Sequence, residues 1–260
     1  MAILESRTQT GISWIKESIT LFKTAPRKWL MLALVYVSLF MMLPSIPVLQ
    51  FFAFVSILMW PVFLALAIAL YRNADMKKQQ SLSETMQTIK PKILQLMALG
   101  GACLLYAVLM SFVLNSDLQG LAALAQNKDK MTESQMMAFM QKVLPVMLKM
   151  LLLSIPLLMA TWFSPMLIAF NNYNLVKAMK SSIAGSLKYV IALTAAWLLL
   201  TVGMLALMMA VGIVAGIVSA LVPALGQLLI PFVLFGCMLL ATALMLAFQY
   251  VSYRDVFRAA

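Results

Sequence analysis

Charged side chains divide this chain into long apolar stretches. None occurs between Lys28 and Arg72, an interval about twice the ~20 residues that carry a helix across a bilayer core. Two crossings are therefore predicted, near 29–46 and 50–71. They separate at Leu43-Pro44-Ser45-Ile46-Pro47, where two prolines remove backbone donors. A third crossing fits between Lys92 and Asp117 and a fourth between Lys149 and Lys177. From Tyr189 to Tyr253 there is again no charge, and more length than two helices need. The surplus, Gly212 to Gln227, contains Gly, Ser and Pro223 and is expected to form a turn with an interfacial or partly buried segment. The predicted fold class is all-α: a polytopic membrane bundle of six transmembrane helices arranged as three hairpins.

Before each odd-numbered span lies a short amphipathic stretch. Ile12, Ile15, Ile19 and Phe22 recur at helical spacing ahead of Pro26-Arg27-Lys28-Trp29; Leu82, Met86 and Ile89 precede Lys90-Pro91-Lys92-Ile93; Leu175, Met179, Ile183 and Leu187 precede Lys188-Tyr189. Each reads as an elbow helix lying in the cytoplasmic leaflet, followed by a hairpin. The even-numbered spans also end alike, at Tyr71-Arg72-Asn73, Asn171-Asn172-Tyr173 and Tyr253-Arg254-Asp255. One membrane domain is expected, with repeat-like units over 1–73, 74–173 and 174–260. The middle unit carries an insertion over 115–144, expected to form an amphipathic helical cap on the periplasmic side, with Thr132 as an N-cap and Pro145 bending the chain into span four.

Counting Lys and Arg between the spans orients the chain. The amino-terminal segment carries Arg7, Lys16, Lys23, Arg27 and Lys28; the second gap carries Arg72, Lys77, Lys78, Lys90 and Lys92; the fourth carries Lys177, Lys180 and Lys188; the tail carries Arg254 and Arg258. The first and fifth connections carry none, and the third mixes four lysines with three acids. The positive-inside rule places both termini in the cytoplasm, and the first 28 residues do not resemble a cleaved signal.

Composition narrows the chemistry. At 64% hydrophobic and 10% charged, the 260-residue chain is far too apolar for a water-soluble fold. Its formal charge of +11 sits at the edges of apolar runs, which fits a membrane surface better than nucleic acid. The chain has no His, and its eight acids are scattered over gaps on both sides of the membrane. No nucleophile–base pair, paired carboxylates or phosphate-cradling loop is recognisable, so no enzyme activity, cofactor or metal site is expected. Cys103 and Cys237 lie within apolar runs and read as buried thiols.

The candidate headgroup contacts are Arg27, Lys28, Lys90, Lys92, Lys177, Lys180 and Lys188. A polar notch is expected from Ser154, Thr161, Ser164, Asn171, Asn172 and Asn174, weighed against Ser and Thr merely re-satisfying backbone freed by proline. Met131, Met136, Met137, Met140, Met147 and Met150 raise the question of soft Cu(I) ligation, but Met136, Met140, Met147 and Met150 share one helical face and read as a packing seam. Gly212, Gly216 and Ala220 are small residues four apart, expected to pack within the chain.

Gly11-Ile12-Ser13-Trp14-Ile15-Lys16, its continuation to Leu21-Phe22-Lys23, and Trp162-Phe163-Ser164-Pro165 resemble an uncharacterised group of six-span proteobacterial inner-membrane proteins, itself similar to the YciC-like membrane proteins. That resemblance implies an inner-membrane location and brings no activity, cofactor or catalytic residue. The expected role is a non-enzymatic scaffold contacting membrane lipids, a membrane-protein partner or a second copy of itself. The alternative is an uncoupled permease or lipid-translocating protein.

Overall fold

The computed structural model describes residues 2–78, 80–125 and 133–257, which are helical almost throughout and contain no strand. The first unit comprises α1 (Ala2–Thr24), α2 (Pro26–Val37), its continuation α3 (Leu43–Ser45) and α4 (Phe52–Asp75). The second comprises α5 (Leu82–Ile89), α6 (Ile93–Ala125), α7 (Glu133–Thr161) and α8 (Ser164–Asn171). The third comprises α9 (Leu175–Lys188), α10 (Val190–Leu221) and α11 (Pro223–Phe257). Among the described residues, six helical stretches are long and apolar enough to cross a bilayer, making this a multi-pass membrane bundle of three hairpins.

Proline sets the first hairpin. The ring of Pro44 crowds the carbonyl four residues back, and the helix widens into a π turn over Ser38–Met42. Leu43 N–H then donates to Ser38 O, five residues back, which releases the Leu39 carbonyl. Ser56, across the hairpin on α4, donates its hydroxyl to that carbonyl at 3.1 Å. In hydrocarbon no water is available for the task, so a neighbouring helix takes it over.

The connections stay helical further than expected. The surplus in the third hairpin lengthens its two helices, since α10 runs to Leu221 and α11 begins at Pro223, with the expected turn at Val222 between them. Gly and Ser stay helical there because an intrahelical partner is the best available for a backbone group in an apolar medium. Pro223, suited to the first turn of a helix, marks the break. In the middle unit, residues 115–125 continue α6 and 133–144 begin α7, so the insertion lengthens two helices instead of forming a separate cap. Pro145 lies inside α7. The expected cap at Thr132 falls outside the described residues.

The tightly packed core sits at one end of the bundle, the end where the elbow helices α1, α5 and α9 gather. Its largest buried side chains are Trp14, Trp29, Tyr71, Phe163, Phe248, Tyr250 and Tyr253. Trp29 stacks on Tyr71 at 3.9 Å between ring centroids, and the Tyr71 hydroxyl donates to the Ala243 carbonyl of α11 at 2.9 Å. Toward the other end large apolar side chains such as Phe112, Leu144, Leu221 and Phe232 point outward, as lipid-facing residues do. There Lys149 pairs with Asp117 at 2.7 Å, tying α7 to α6.

The elbow helices pack only in part by the apolar edges read from the sequence, through the buried Ile15 and Ile89 and the half-buried Phe22, Leu175 and Met179. On α1 the buried positions are Gly11, Trp14, Ile15, Ser18 and Leu21, while Ile12 and Ile19 are exposed. On α9 they are Ala178, Ser182, Gly185 and Ser186, and Leu187 is exposed. On α5 they are Thr85 and Ile89, with Leu82 exposed. Small and hydroxylated residues turn inward because they let helix backbones approach closely.

Candidate functional site

Three acids that are far apart in sequence meet at one cation. Arg254, near the end of α11, pairs with Glu17 of α1, with Asp75 at the end of α4 at 3.0 Å and with its neighbour Asp255 at 3.0 Å. Trp14 Nε1 donates to Asp255 Oδ2 at 2.8 Å, and the Tyr250 hydroxyl donates to Asp75 Oδ2 at 2.7 Å. The Tyr253 hydroxyl donates to Asn171 Oδ1, which adds the end of α8. A planar guanidinium can serve several carboxylates at once, so this knot clamps the first, second and third units together. Reading the acids as scattered missed it. The only local sign was the likeness of the span endings around Arg72 and Arg254.

A second constellation lies where α7 breaks before α8. An unbroken helix would join Phe163 N–H to Met159 O, and here the Ser182 hydroxyl of α9 stands between them. It accepts from Phe163 N–H at 3.0 Å and donates to Met159 O at 2.7 Å. Gln249 Nε2 of α11 donates to the adjacent Trp162 carbonyl at 2.7 Å. The pyrrolidine of Pro165 explains the break, since it lacks a donor and crowds the Thr161 carbonyl. The Trp162 indole N–H is enclosed and has no acceptor among the described residues.

This break borders a cavity of about 500 Å³ where the three hairpins meet. Tyr36 and Trp60 line it from the first hairpin, Leu158, Thr161 and Trp162 from the second, and residues between Trp197 and Gln249 from the third. The walls carry no Lys, Arg, Asp or Glu and are rich in Met and Leu. The cavity opens outward, since Met41, Leu158, Trp197 and Leu205 on its walls are exposed. The hydroxyls of Thr161 and Thr242 bond back to their own helices, and the Tyr36 hydroxyl accepts from Trp60 Nε1 at 3.1 Å. A separate cleft of about 140 Å³ at the α4–α5–α8 junction is lined by Arg72, Asn73, Lys78, Gln80, Thr85 and Thr88.

The residues singled out from sequence disperse. Arg27, Lys28, Lys90, Lys177, Lys180 and Lys188 are exposed and Lys92 is half-buried, all close to the elbow helices. Lys28, Lys177 and Lys188 lie over the rings of Trp29, Tyr173 and Tyr189 at 5.1, 4.1 and 5.5 Å. Of the notch residues, Thr161 lines the cavity. Ser154 bonds back to Met150 O, Ser164 to Ala160 O, and Asn171 accepts from Tyr253. Asn172 ends α8 in a left-handed conformation, and Asn174 caps α9 by accepting from Lys177 N–H at 2.9 Å.

Two packing expectations are overturned. Met140, Met147 and Met150 are exposed and fill no seam within the chain; Met131 falls outside the described residues, as does the side chain of Met136. Among the described residues, a Cβ at Gly212 or Gly216 would meet nothing within 4 Å, so neither glycine serves a close helix approach there. No family model, curated protein or solved structure matches this chain.

Proposed function

We propose that this chain is a non-enzymatic protein of the bacterial inner membrane, with both termini in the cytoplasm, that holds and organises lipid of the cytoplasmic leaflet. The observation that carries the reading is the three-sided character of the elbow helices. One edge of each is anchored to the bundle, and the next exposes apolar groups such as Ile12 and Ile19, Leu82, or Val176 and Leu187. Lys16, Lys90, Lys177, Lys180 and Lys188 stand outward along them. A helix so built suits the headgroup boundary, its apolar edge entering the acyl region and each cation adding about 1 kcal/mol near an anionic surface. The Lys and Arg bias between spans and the resemblance to YciC-like proteins support the location.

The test is lipid retention. After mild extraction, anionic phospholipid should be enriched on the protein relative to the parent membrane, and charge reversal of Lys90, Lys177, Lys180 and Lys188 together should abolish the enrichment. Retained lipid that merely mirrors bulk composition sinks the reading. A second reading, lipid translocation or uncoupled permeation, is favoured by the uncharged cavity at the junction of the hairpins. Vesicles containing the protein that move fluorescent lipid between leaflets no faster than empty vesicles remove it.

A further inference from the structure

We infer that the cavity at the junction of the three hairpins seats one acyl chain of a phospholipid from the leaflet that the elbow helices occupy, with the headgroup end of that chain toward Trp162 and Gln249. The inference deepens the lipid-organising reading and rests on it.

Length argues for a chain. Along α10 the lining runs from Trp197 to Met208, and along α11 from Met238 to Gln249. At 1.5 Å per residue each stretch covers about 16 Å. That matches one leaflet's share of a hydrocarbon core ~30 Å thick. A volume of about 500 Å³ also lies within the range of ordinary ligand sites, ~300–1,000 Å³.

The walls argue for hydrocarbon. Met41, Met204, Met208, Met238 and Met245 line the cavity, and flexible thioethers mould themselves to a mobile chain without demanding one shape. With no formal charge on the lining, an ionic headgroup has nothing to pair with inside and stays at the mouth.

Polarity argues for direction. Trp162 and Gln249 lie at the elbow end, and Gln249 precedes Arg254 of the ion-pair knot by five residues, about 7.5 Å of helix. A chain entering from this end places its headgroup at the level of the basic elbow helices. Its methyl end reaches the methionines.

Photolabelling of the full-length protein tests this. The protein is reconstituted in phosphatidylethanolamine–phosphatidylglycerol vesicles containing a phosphatidylethanolamine with a diazirine near the end of one acyl chain. After irradiation, peptides spanning 204–208 and 238–245 should be labelled about tenfold more than those containing the outward-facing Phe112 or Phe232, a ratio equivalent to about 1.4 kcal/mol of preference. Ala241→Phe, which fills the cavity, or Thr201→Trp at its exposed rim should remove that excess while labelling at Phe112 stays constant. Equal labelling inside and outside, or an excess untouched by both blocking variants in folded protein, overturns the inference. So does labelling of the cavity by a diazirine fatty alcohol but not by the phospholipid. Because the anionic enrichment described above is read on headgroups, its persistence without cavity labelling would sink this inference alone. Its loss with labelling retained would sink the broader reading alone.

Discussion

Gly11 of α1 lies against the backbone of Ala192 on α10: a Cβ placed on Gly11 would sit 2.4 Å from the Ala192 carbonyl oxygen. A contact that short requires the helices to move apart, and Trp14, one turn along, is already fully buried between α10 and α11. Gly11→Ala should therefore cost about 1–3 kcal/mol despite the better helix propensity of Ala. Gly120→Ala and Gly203→Ala, with nothing within 4 Å, should be neutral or slightly stabilising. Thermal unfolding in detergent separates the two outcomes.

Arg254→Leu removes the cation shared by Glu17, Asp75 and Asp255. The arginine side chain is 26% exposed and Glu17 45%, so screening reduces the cost to about 1–2 kcal/mol. Arg254→Lys should recover less than half of it, because an ammonium cannot present the planar fork. Pairing Arg254→Leu with Asp75→Asn should cost less than the sum of the single changes, measured as a double-mutant cycle. Strict additivity would show that the knot is not a unit.

Ser182→Ala strands Phe163 N–H at the α7–α8 break and leaves Met159 O with only the longer bond from the Ser186 hydroxyl, at 3.4 Å. With the site fully buried, the loss should be about 1–3 kcal/mol. Ser154→Ala, on the same α7 but exposed and bonded only to its own helix, should change stability by less than about 0.5 kcal/mol. Equal effects from the two would refute the role given to Ser182.

Ser56→Ala should cost about 0.6 kcal/mol, the average for hydrogen bonds between membrane helices, and no more than about 1.7 kcal/mol. In a Pro44→Ala background, where the π turn can relax to ordinary helix and Leu43 can bond Leu39 O, the same change should cost little. Chemical unfolding of the four variants measures the coupling.

The Trp14–Asp255 and Arg254–Glu17 contacts hold α1 and the end of α11 at one end of the bundle, the end proposed to face the cytoplasm. Single cysteines at Ser13 and Ser81 should react with a membrane-impermeant thiol reagent only after the inner membrane is opened. One at Ser116, near the far end of α6, should react in intact cells. The reverse pattern overturns the proposed orientation.

How often the chain crosses the membrane was legible in the residues themselves, because an ionised group is costly in hydrocarbon whatever its neighbours. The empty intervals from Lys28 to Arg72 and from Tyr189 to Tyr253 needed no partner to be interpreted. The prolines at 47 and 223 likewise announced their breaks, since a missing donor and a restricted preceding residue are properties of proline itself. Less was legible where a residue's role depends on what faces it. Ser182 and Gln249 look ordinary in sequence, and their role exists only because α9 and α11 pass the broken turn at Trp162 and Phe163.

The same division accounts for the elbow helices and the ion-pair knot. Periodicity alone determined that residues around Ile12, Leu82 and Leu175 form amphipathic helices. The tertiary structure decided which edge packs, because closeness of approach favours Gly11, Ser18 and Ser182 while a lipid medium imposes little penalty on leaving Ile12 or Leu187 outside. Charge placement determined where the bundle ends. That Glu17, Asp75 and Asp255 share Arg254 was decided only in three dimensions, since the attraction acts through space between positions as far as 237 residues apart along the chain.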